Sequence, residues 1–210
     1  MLPETSLEFP SGNALPDGQR ASNHLMTALM DRVECGLIAC AANGRLIHAN
    51  LSAQRELRDG GSLRLDGHTI VCTASNAGEW HLALSQAVRD GRSGLLSLNG
   101  PRQPLLAAIM PTPSDVHDAP VVLVMLGRRA ACSPLGLELF ASAHGLTLAE
   151  SRVLRALLSD MSTREIADAH GVAMATIRTQ IQAMREKLAV RSIDALLLRV
   201  AELPPISARH

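Results

Sequence analysis

A run of hydrogen-bonding side chains near the C-terminus follows helical spacing opposite an apolar stripe. The apolar positions fall in one narrow sector of a helix and are Ile177, Ile181, Met184 and Leu188. The opposite side carries Thr176, Arg178, Thr179, Gln182, Arg185 and Lys187. Arginine can donate two hydrogen bonds to guanine, glutamine can pair with adenine, and threonine can contact a thymine methyl group or a phosphate. The pattern predicts a helix over residues 174–188 that packs on a protein core with one side and reads a DNA major groove with the other.

The basic residues at the end of this helix have a different expected role. Arg185 and Lys187 lie further along the helix than Arg178, where contact with DNA phosphates is expected rather than base reading. Every solvated helix of a small bundle carries charged residues on its outer face, so this sector alone does not distinguish a DNA reader from a structural helix. The elements that precede the helix decide between the two interpretations.

A capping box predicts the start of a helix upstream. Thr147 can serve as the N-cap, and Glu150, three residues later, can bond back to the N-cap backbone. The buried face of this helix is expected to hold Val153, Leu154, Leu157 and Leu158. The helix is expected to end near Asp160.

A second capping box, formed by Ser162 and Glu165, predicts the start of a shorter helix. Its inward-facing residues are expected to be Ile166, Ala167 and His170. Gly171 then supplies a turn that needs a positive φ. Ser162 and Thr163 are candidates for contacts with DNA phosphates. Because two capping boxes, a glycine turn and a polar sector follow in this order, the sequence predicts binding to double-stranded DNA.

The segment Leu146–Val190 resembles the LuxR-type helix-turn-helix, whose pattern is approximately LTxxExxVLxLLxxGxSxxEIAxxLGVSxxTVRxHLxxIxxKLGV. The matching positions are Leu146, Thr147, Glu150, Val153, Leu154, Ser162, Glu165, Ile166, Ala167, Gly171, Val172, Thr176, Arg178, Lys187, Leu188 and Val190. The resemblance implies a four-helix DNA-binding domain of a transcription regulator.

Four residues depart from this pattern. Asp160 and Ala189 replace glycines, and Gln180 stands where histidine is frequent. Ala173 replaces the serine that usually caps the recognition helix, at an expected cost of about 1 kcal/mol. None of the four removes a donor from the polar sector, so the expected effect is on stability rather than on DNA binding.

A further amphipathic helix is predicted over residues 191–202. In the LuxR family this fourth helix commonly pairs two DNA-binding domains, which implies a homodimer. The residues expected at the dimer contact are Ile193, Leu197 and Val200. The alternative is that this helix packs only within its own domain.

The first half of the chain predicts an α+β domain with an antiparallel sheet. Two turn signals, Asn43-Gly44 and Asp66-Gly67, each lie between short strand-like runs and predict hairpins. Helices are expected over 22–33, capped by Ser22 or Asn23, and over 79–89. Further strands are expected over 94–98, 105–110 and 120–126. The packing residues of the second helix are expected to be Leu82, Leu84 and Ala87.

This element order, and the segment VECGLIACAANGRLIHAN, resemble a PAS-like sensor domain with a five-stranded antiparallel sheet and helices. The resemblance implies a domain that binds a small molecule, senses a partner or dimerises. The expected organisation is a flexible arm over 1–20, the PAS-like domain over 21–128 and a linker with a linking helix over 129–145. The helix-turn-helix domain is expected over 146–203 and a tail over 204–210.

Composition narrows the classes of function. The chain has 20 acidic and 20 basic residues, so it is not coated in positive charge. Its few aromatic residues, Phe9, Trp80 and Phe140, argue against a base-stacking platform for single strands or RNA. The four cysteines form neither a CxxC pair nor a zinc-like cluster, and the histidines, His117 in the His117-Asp118 pair included, are isolated. No cofactor, metal or catalytic residue is therefore predicted.

Without an apolar run of membrane-spanning length, a cytoplasmic protein with no membrane contact is expected.

The leading hypothesis is a sequence-specific transcription regulator in which the N-terminal domain gates a C-terminal DNA reader. Its expected partners are double-stranded DNA, a second copy of the chain, an unidentified small-molecule effector and RNA polymerase. The near-neutral charge motivates an alternative, a PAS-like ligand-binding or interaction module whose helical domain serves mainly dimerisation. An enzyme is the weakest hypothesis, since no nucleophile, acid-base pair or phosphate loop can be assembled.

Overall fold

A computed structural model describes residues 17–101, 103–113, 119–128 and 132–207. The chain divides into two compact units, residues 1–128 and 129–210. Most of the expected N-terminal arm, the His117-Asp118 pair and the last three residues of the expected tail lie outside the described residues.

The N-terminal unit is an α+β structure. Its helices are α1 (Asp17–Met30), α2 (Leu51–Arg58) and α3 (Ala77–Asp90). Its strands are β1 (Leu37–Ala41), β2 (Leu46–Ala49), β3 (Leu63–Asp66), β4 (Thr69–Cys72), β5 (Gly94–Leu98), β6 (Leu105–Pro111) and β7 (Val121–Leu126). Five strands form an antiparallel sheet in the order β2-β1-β7-β6-β5, and β3 pairs with β4 in a separate hairpin. The predicted five-stranded antiparallel sheet with helices is confirmed.

Both hairpins form at the predicted turn signals. Gly44 has a φ of 81° between β1 and β2, and Gly67 has a φ of 58° between β3 and β4. Gly44 also packs closely, since a Cβ atom there would lie 3.1 Å from the carbonyl oxygen of Ile70. Only glycine meets both requirements at low cost.

Two helix predictions need correction. α1 begins at Asp17, so Ser22 and Asn23 are internal residues of the helix and do not cap it. No residue after Gly18 breaks the helical pattern before Met30, which explains the earlier start. In α3 the buried face includes Trp80, Leu84 and Ala87, whereas Leu82 is exposed. Leu82 lies two residues from Trp80, about 200° around the helix, and therefore points away from the sheet.

Asn50 connects three elements of the N-terminal unit and is completely buried. Its Oδ1 accepts hydrogen bonds from the backbone N–H of Leu37 in β1 and from that of Ala53 in α2, at 2.9 and 3.0 Å. Its Nδ2 donates to the carbonyl oxygen of Met30, the last residue of α1, and to those of Val33 and Cys35 in the connection that follows. One side chain thus caps α2 and holds the connection between α1 and β1.

The C-terminal unit is all helical. It contains α4 (Pro134–Ala143), α5 (Leu148–Leu158), α6 (Thr163–His170), α7 (Met174–Lys187) and α8 (Ile193–Ala201). α4 is the predicted linking helix, and its Leu137 and Phe140 are buried in the same core as α5 to α8. This helix is therefore part of the packed helical unit. The predicted order of an α+β domain followed by an all-α domain is confirmed.

Candidate nucleic-acid interface

The first capping box fixes the start of α5. The backbone N–H of Thr147 donates to Glu150 Oε2 at 2.6 Å, and the N–H of Glu150 donates to Thr147 Oγ1 at 3.2 Å. The predicted inner residues Val153, Leu154 and Leu157 are buried. The fourth one, Leu158, is partly buried and packs against the same core.

The second capping box starts α6. Ser162 donates to Glu165 Oε2 through both its backbone N–H and its hydroxyl, at 2.8 and 2.6 Å, and accepts from the N–H of Glu165. Hydrogen bonds from the Ser162 hydroxyl and backbone hold the pKa of Glu165 below its ordinary value. The Ser162 hydroxyl is therefore occupied within the protein, while Thr163 begins the helix beside it.

The turn into α7 follows the prediction in one residue and differs from the family pattern in another. Gly171 ends α6 with a φ of 65°. Ala173 stands at the N-cap of α7 and provides no side-chain hydrogen bond. The start of α7 is thus fixed by the turn and by packing rather than by a cap. His170, expected to face inward, is only partly buried.

The two sides of α7 separate as predicted. Ile177, Ile181 and Met184 are buried in the core of the C-terminal unit. Four of the predicted DNA-contacting residues are exposed and belong to the first half of the polar sector: Thr176, Arg178, Thr179 and Gln182. A helix clamped on one side and open on the other is the arrangement that major-groove reading requires.

An open groove of about 590 Å³ runs along the exposed side of α7. It is lined by Thr163 from α6, by Ile193 from α8, and by Arg178, Thr179, Ile181, Gln182 and Arg185 from α7. The structure therefore brings together the candidate phosphate contact Thr163 and most of the candidate base-reading residues.

A hydrogen-bond network organises the second half of the groove. Gln182 accepts from Arg185 Nη1 at 3.1 Å and donates to Glu186 Oε1 at 2.7 Å. Arg185 Nη2 also donates to the carbonyl oxygen of Arg191, in the turn before α8. In contrast, Arg178 makes no hydrogen bond or ion pair within the part of the chain that the structure describes. Glu186 is not among the residues predicted for this face, although its spacing of four residues from Gln182 is a signal for such a pair.

Lys187, in the last turn of α7, forms an ion pair that its sequence pattern does not predict. Its Nζ donates to Glu150 Oε2 at 2.6 Å and to the carbonyl oxygen of Gly145 at 2.9 Å. Burial alone would raise the pKa of Glu150, but hydrogen bonds from Lys187 and Thr147 outweigh it and hold that pKa below its ordinary value. The ammonium group of Lys187 therefore joins the end of α7 to the cap of α5, and its contact with a DNA phosphate stays a prediction.

The fourth helix also differs from the prediction in one residue. Val200 is completely buried in the core of its own unit, so it belongs to that core and not to an exposed dimer contact. Ile193 and Leu197 are partly buried against the same core. Leu198 is the large apolar residue that α8 exposes. Ser192 caps this helix through the N–H of Ala195.

A second concave surface on the C-terminal unit is basic. It has a volume of about 240 Å³ and is lined by Arg152, Arg155, Ala156, Ser159 and His170. The two arginines lie three residues apart on one face of α5, and His170 ends α6. Two guanidinium groups in a concavity of this size suit a carboxylate or a phosphate.

The remaining predictions concern absences. Among the described residues, no helix is long and apolar enough to span a bilayer. Within the same ranges, no group of three or more histidine, cysteine or acidic side chains is arranged to hold a metal ion.

The capped pair α5 and α6, the glycine turn and the two-sided helix α7 define a helix-turn-helix DNA-binding domain. Residues 144–200 match the family described as bacterial regulatory proteins, luxR family. The C-terminal unit is a LuxR-type domain, which confirms the resemblance, and the protein is a DNA-binding transcription regulator.

Solved structures give a more distant comparison. The chain is similar to VqmA of Vibrio cholerae in complex with ligand and DNA, with 18% identity over 89% of this chain and 96% of that chain and a TM-score of 0.38. It is also similar to a phage VqmA–DPO complex, with 16% identity over 90% and 94% and a TM-score of 0.37. The PAS domain of BvgS from Bordetella pertussis shares 13% identity over 60% of this chain and 96% of that domain, with a TM-score of 0.36. These similarities are distant and carry no functional argument. No curated protein matches the chain significantly in sequence.

Proposed function

We propose that this regulator recognises particular DNA sequences through the exposed face of α7, and that its N-terminal PAS-like unit gates this binding by sensing a small molecule or a partner. The observation that carries the proposal is the separation of α7 into a buried apolar side and an open side with Arg178, Thr179 and Gln182. The proposed regulator acts in the cytoplasm as a homodimer that reads two half-sites.

The contacts divide by chemistry. Arg178, which has no partner among the described residues, is available to donate both guanidinium hydrogen bonds to a guanine. Thr179 already donates to the carbonyl oxygen of Ala175 at 3.0 Å, which leaves its methyl group for a thymine. Gln182 must exchange its bond with Glu186 for one with adenine, so reading at this position costs more than at Arg178.

Phosphate contact is assigned to two residues that line the groove, Thr163 of α6 and Arg185 of α7. Thr163 and the backbone N–H groups at the start of α6 are suited to an anion, because the N-terminus of a helix favours negative charge. Arg185, whose guanidinium donates to Gln182 and to the carbonyl oxygen of Arg191 before α8, is the second proposed phosphate contact. Such contacts position the protein on the duplex without specifying sequence.

RNA polymerase is the proposed protein partner, and Arg152 and Arg155 are its proposed contact. Their basic concavity shares no residue with the groove along α7, so an acidic segment of the polymerase can occupy it while DNA is bound. Arg155→Glu should abolish regulation in a reconstituted transcription assay while operator affinity changes less than threefold. Equal loss of both would contradict the assignment. No catalytic activity is proposed for the chain.

Selection from a random duplex library tests the proposal. The purified full chain should enrich a two-fold symmetric sequence, and Arg178→Ala should weaken binding to it by about 1–3 kcal/mol. Arg199→Ala is the matched control, because it removes the same charge from the exposed side of α8. Failure to enrich any sequence at moderate salt would contradict sequence-specific recognition.

The alternative, a module whose helical unit serves mainly dimerisation, is motivated by the balance of 20 acidic and 20 basic residues. In that case the selection yields no preferred duplex, and Leu198→Asp on α8 removes the dimer without any effect on nucleic acid. The same purified protein therefore distinguishes the two functions.

A further inference from the structure

Glu186 is the only acidic residue of α7. It lies one turn after Gln182, which lines the groove, and its Oε1 accepts a hydrogen bond from Gln182 Nε2 at 2.7 Å. Both side chains are exposed to solvent. Within the described part of the chain the Glu186 carboxylate forms no ion pair, so no cation in direct contact offsets its charge.

The amide group of Gln182 is held at both of its ends. Its Oε1 accepts from Arg185 Nη1 at 3.1 Å, while Arg185 also donates to the carbonyl oxygen of Arg191. A guanidinium group only donates and a carboxylate only accepts. The amide oxygen must therefore face Arg185 and the amide nitrogen must face Glu186, which fixes the orientation of the side chain.

Base reading by Gln182 has to break this arrangement. A glutamine reads adenine by using its amide oxygen and nitrogen together, as acceptor and donor. Gln182 gives up its bond to Glu186 for that contact, whereas Arg178, with no partner among the described residues, has no bond to give up. On a base pair that Gln182 does not contact, the bond to Glu186 remains. Since specificity is a difference between affinities, the preference at this position shrinks by the strength of the bond.

The charge of Glu186 acts on every duplex in the same way. Phosphates line both strands of DNA, so a carboxylate on the polar side of α7 lowers the affinity for every sequence. The hydrogen bond acts only where Gln182 leaves Glu186 for a base. The two effects can therefore be measured separately, the first as overall affinity and the second as the preference at one base pair.

We propose that Glu186 is a specificity-determining residue that weakens base reading by Gln182 and leaves Arg178 as the dominant reader. Glu186 acts through Gln182, so it is a positioning residue rather than a base contact. The inference rests on the proposed sequence-specific DNA binding and adds a hierarchy among its reading residues. The expected operator has a strongly specified base pair opposite Arg178 and a weakly specified one opposite Gln182.

Competition binding of the full chain to the selected duplex and its single base-pair variants tests this hierarchy. Glu186→Ala should raise the preference at one base pair about two- to fivefold, as expected for an exposed hydrogen bond to a charged group. Addition of Gln182→Ala should remove this gain, which assigns the base pair to Gln182. The preference opposite Arg178 should stay unchanged. Every duplex should also bind more tightly to Glu186→Ala, because a negative charge is removed.

Glu186→Gln is the matched control, because it removes the charge and keeps an oxygen that can accept from Gln182. It should tighten binding to all duplexes and leave the pattern of base preferences as in the wild type. Circular dichroism verifies that both variants fold, as expected for substitutions of an exposed side chain.

Three results would overturn the proposal. Glu186→Ala could change the affinity for all duplexes equally, its gain in preference could persist in the Gln182→Ala background, or Glu186→Gln could produce the same gain. Each result would show that Glu186 acts through its charge alone. A wild type that selects no duplex overturns the proposed function itself, whereas a wild type whose base preferences do not depend on Glu186 overturns only this inference.

Discussion

Lys187 Nζ lies 2.6 Å from Glu150 Oε2, and this ion pair joins the last turn of α7 to the first turn of α5. The same carboxylate oxygen accepts a hydrogen bond from the backbone N–H of Thr147, so one atom takes part in the cap of α5 and in the ion pair. We call the Lys187–Glu150 ion pair the clamp. The pair orients α7 on α5, and neither residue lines the groove along α7.

Removal of the lysine should therefore lower stability and leave the ionic component of DNA binding unchanged. Lys187→Ala leaves the nearly buried Glu150 carboxylate without its cation, at an expected loss of about 2 kcal/mol in the free energy of unfolding. Urea denaturation measures it, with Arg199→Ala as control, since the Arg199–Glu202 pair is exposed and 3.9 Å apart. A lost phosphate contact would instead lower the salt slope of DNA binding by about one, and that result would contradict the clamp.

The clamp also predicts the pH dependence of stability. Because the folded-state pKa of Glu150 is below its ordinary value, the stabilisation is fully present above that ordinary value and is lost as the pH falls through the folded pKa. Thermal unfolding between about pH 6 and pH 3 should show a steeper loss for the wild type than for Glu150→Gln. Parallel curves for the two proteins would be incompatible with a contribution from Glu150.

Two residues that replace family glycines have a positive φ, 60° at Asp160 and 52° at Ala189. A side chain in this left-handed region costs roughly 1 kcal/mol. Ala189→Gly should therefore raise the free energy of unfolding by about 1 kcal/mol, and Gly171→Ala, at a φ of 65°, should lower it by a similar amount. Melting temperatures of both variants check the pair. A destabilised Ala189→Gly would show that the turn is not strained.

Asn50 should be among the least replaceable residues of the N-terminal unit. Asn50→Ala leaves buried N–H and carbonyl groups of the α1 end, β1 and α2 without their partner, with an expected loss of about 3 kcal/mol or more. Ser52→Ala, which removes one partly buried hydrogen bond to Val33, is the milder control. Hydrogen exchange should show increased opening of α1 in Asn50→Ala. Unchanged protection there would argue against Asn50 as the anchor.

Local signals in the sequence predicted most of the helical unit. The two capping boxes and the Gly171 turn depend on residues within four positions of one another, and each is present where predicted. The role of Lys187 could not be predicted in this way, because its partner Glu150 is 37 residues away. Val200 was predicted for an interface because an amphipathic stripe does not specify which surface covers it.

The N-terminal unit shows the same division. The turn signals at Gly44 and Gly67 predict the two hairpins, and the strand-like runs predict the strands of the sheet. The hydrogen bonds of the Asn50 side chain could not be predicted from local patterns, because their partners are backbone groups 13 to 20 residues earlier in the chain. Which residues share the exposed face of the sheet could not be predicted either, because this depends on the register of strands that are distant in sequence.

The central claim, that α7 reads bases through Arg178, is tested most directly by competition binding of wild type and Arg178→Ala to the selected duplex and its single base-pair variants. The wild type should lose about 1–3 kcal/mol when the guanine facing Arg178 is replaced, and Arg178→Ala should bind both duplexes with similar affinity. If Arg178→Ala retains the full preference of the wild type for that base pair, α7 does not read DNA through this residue.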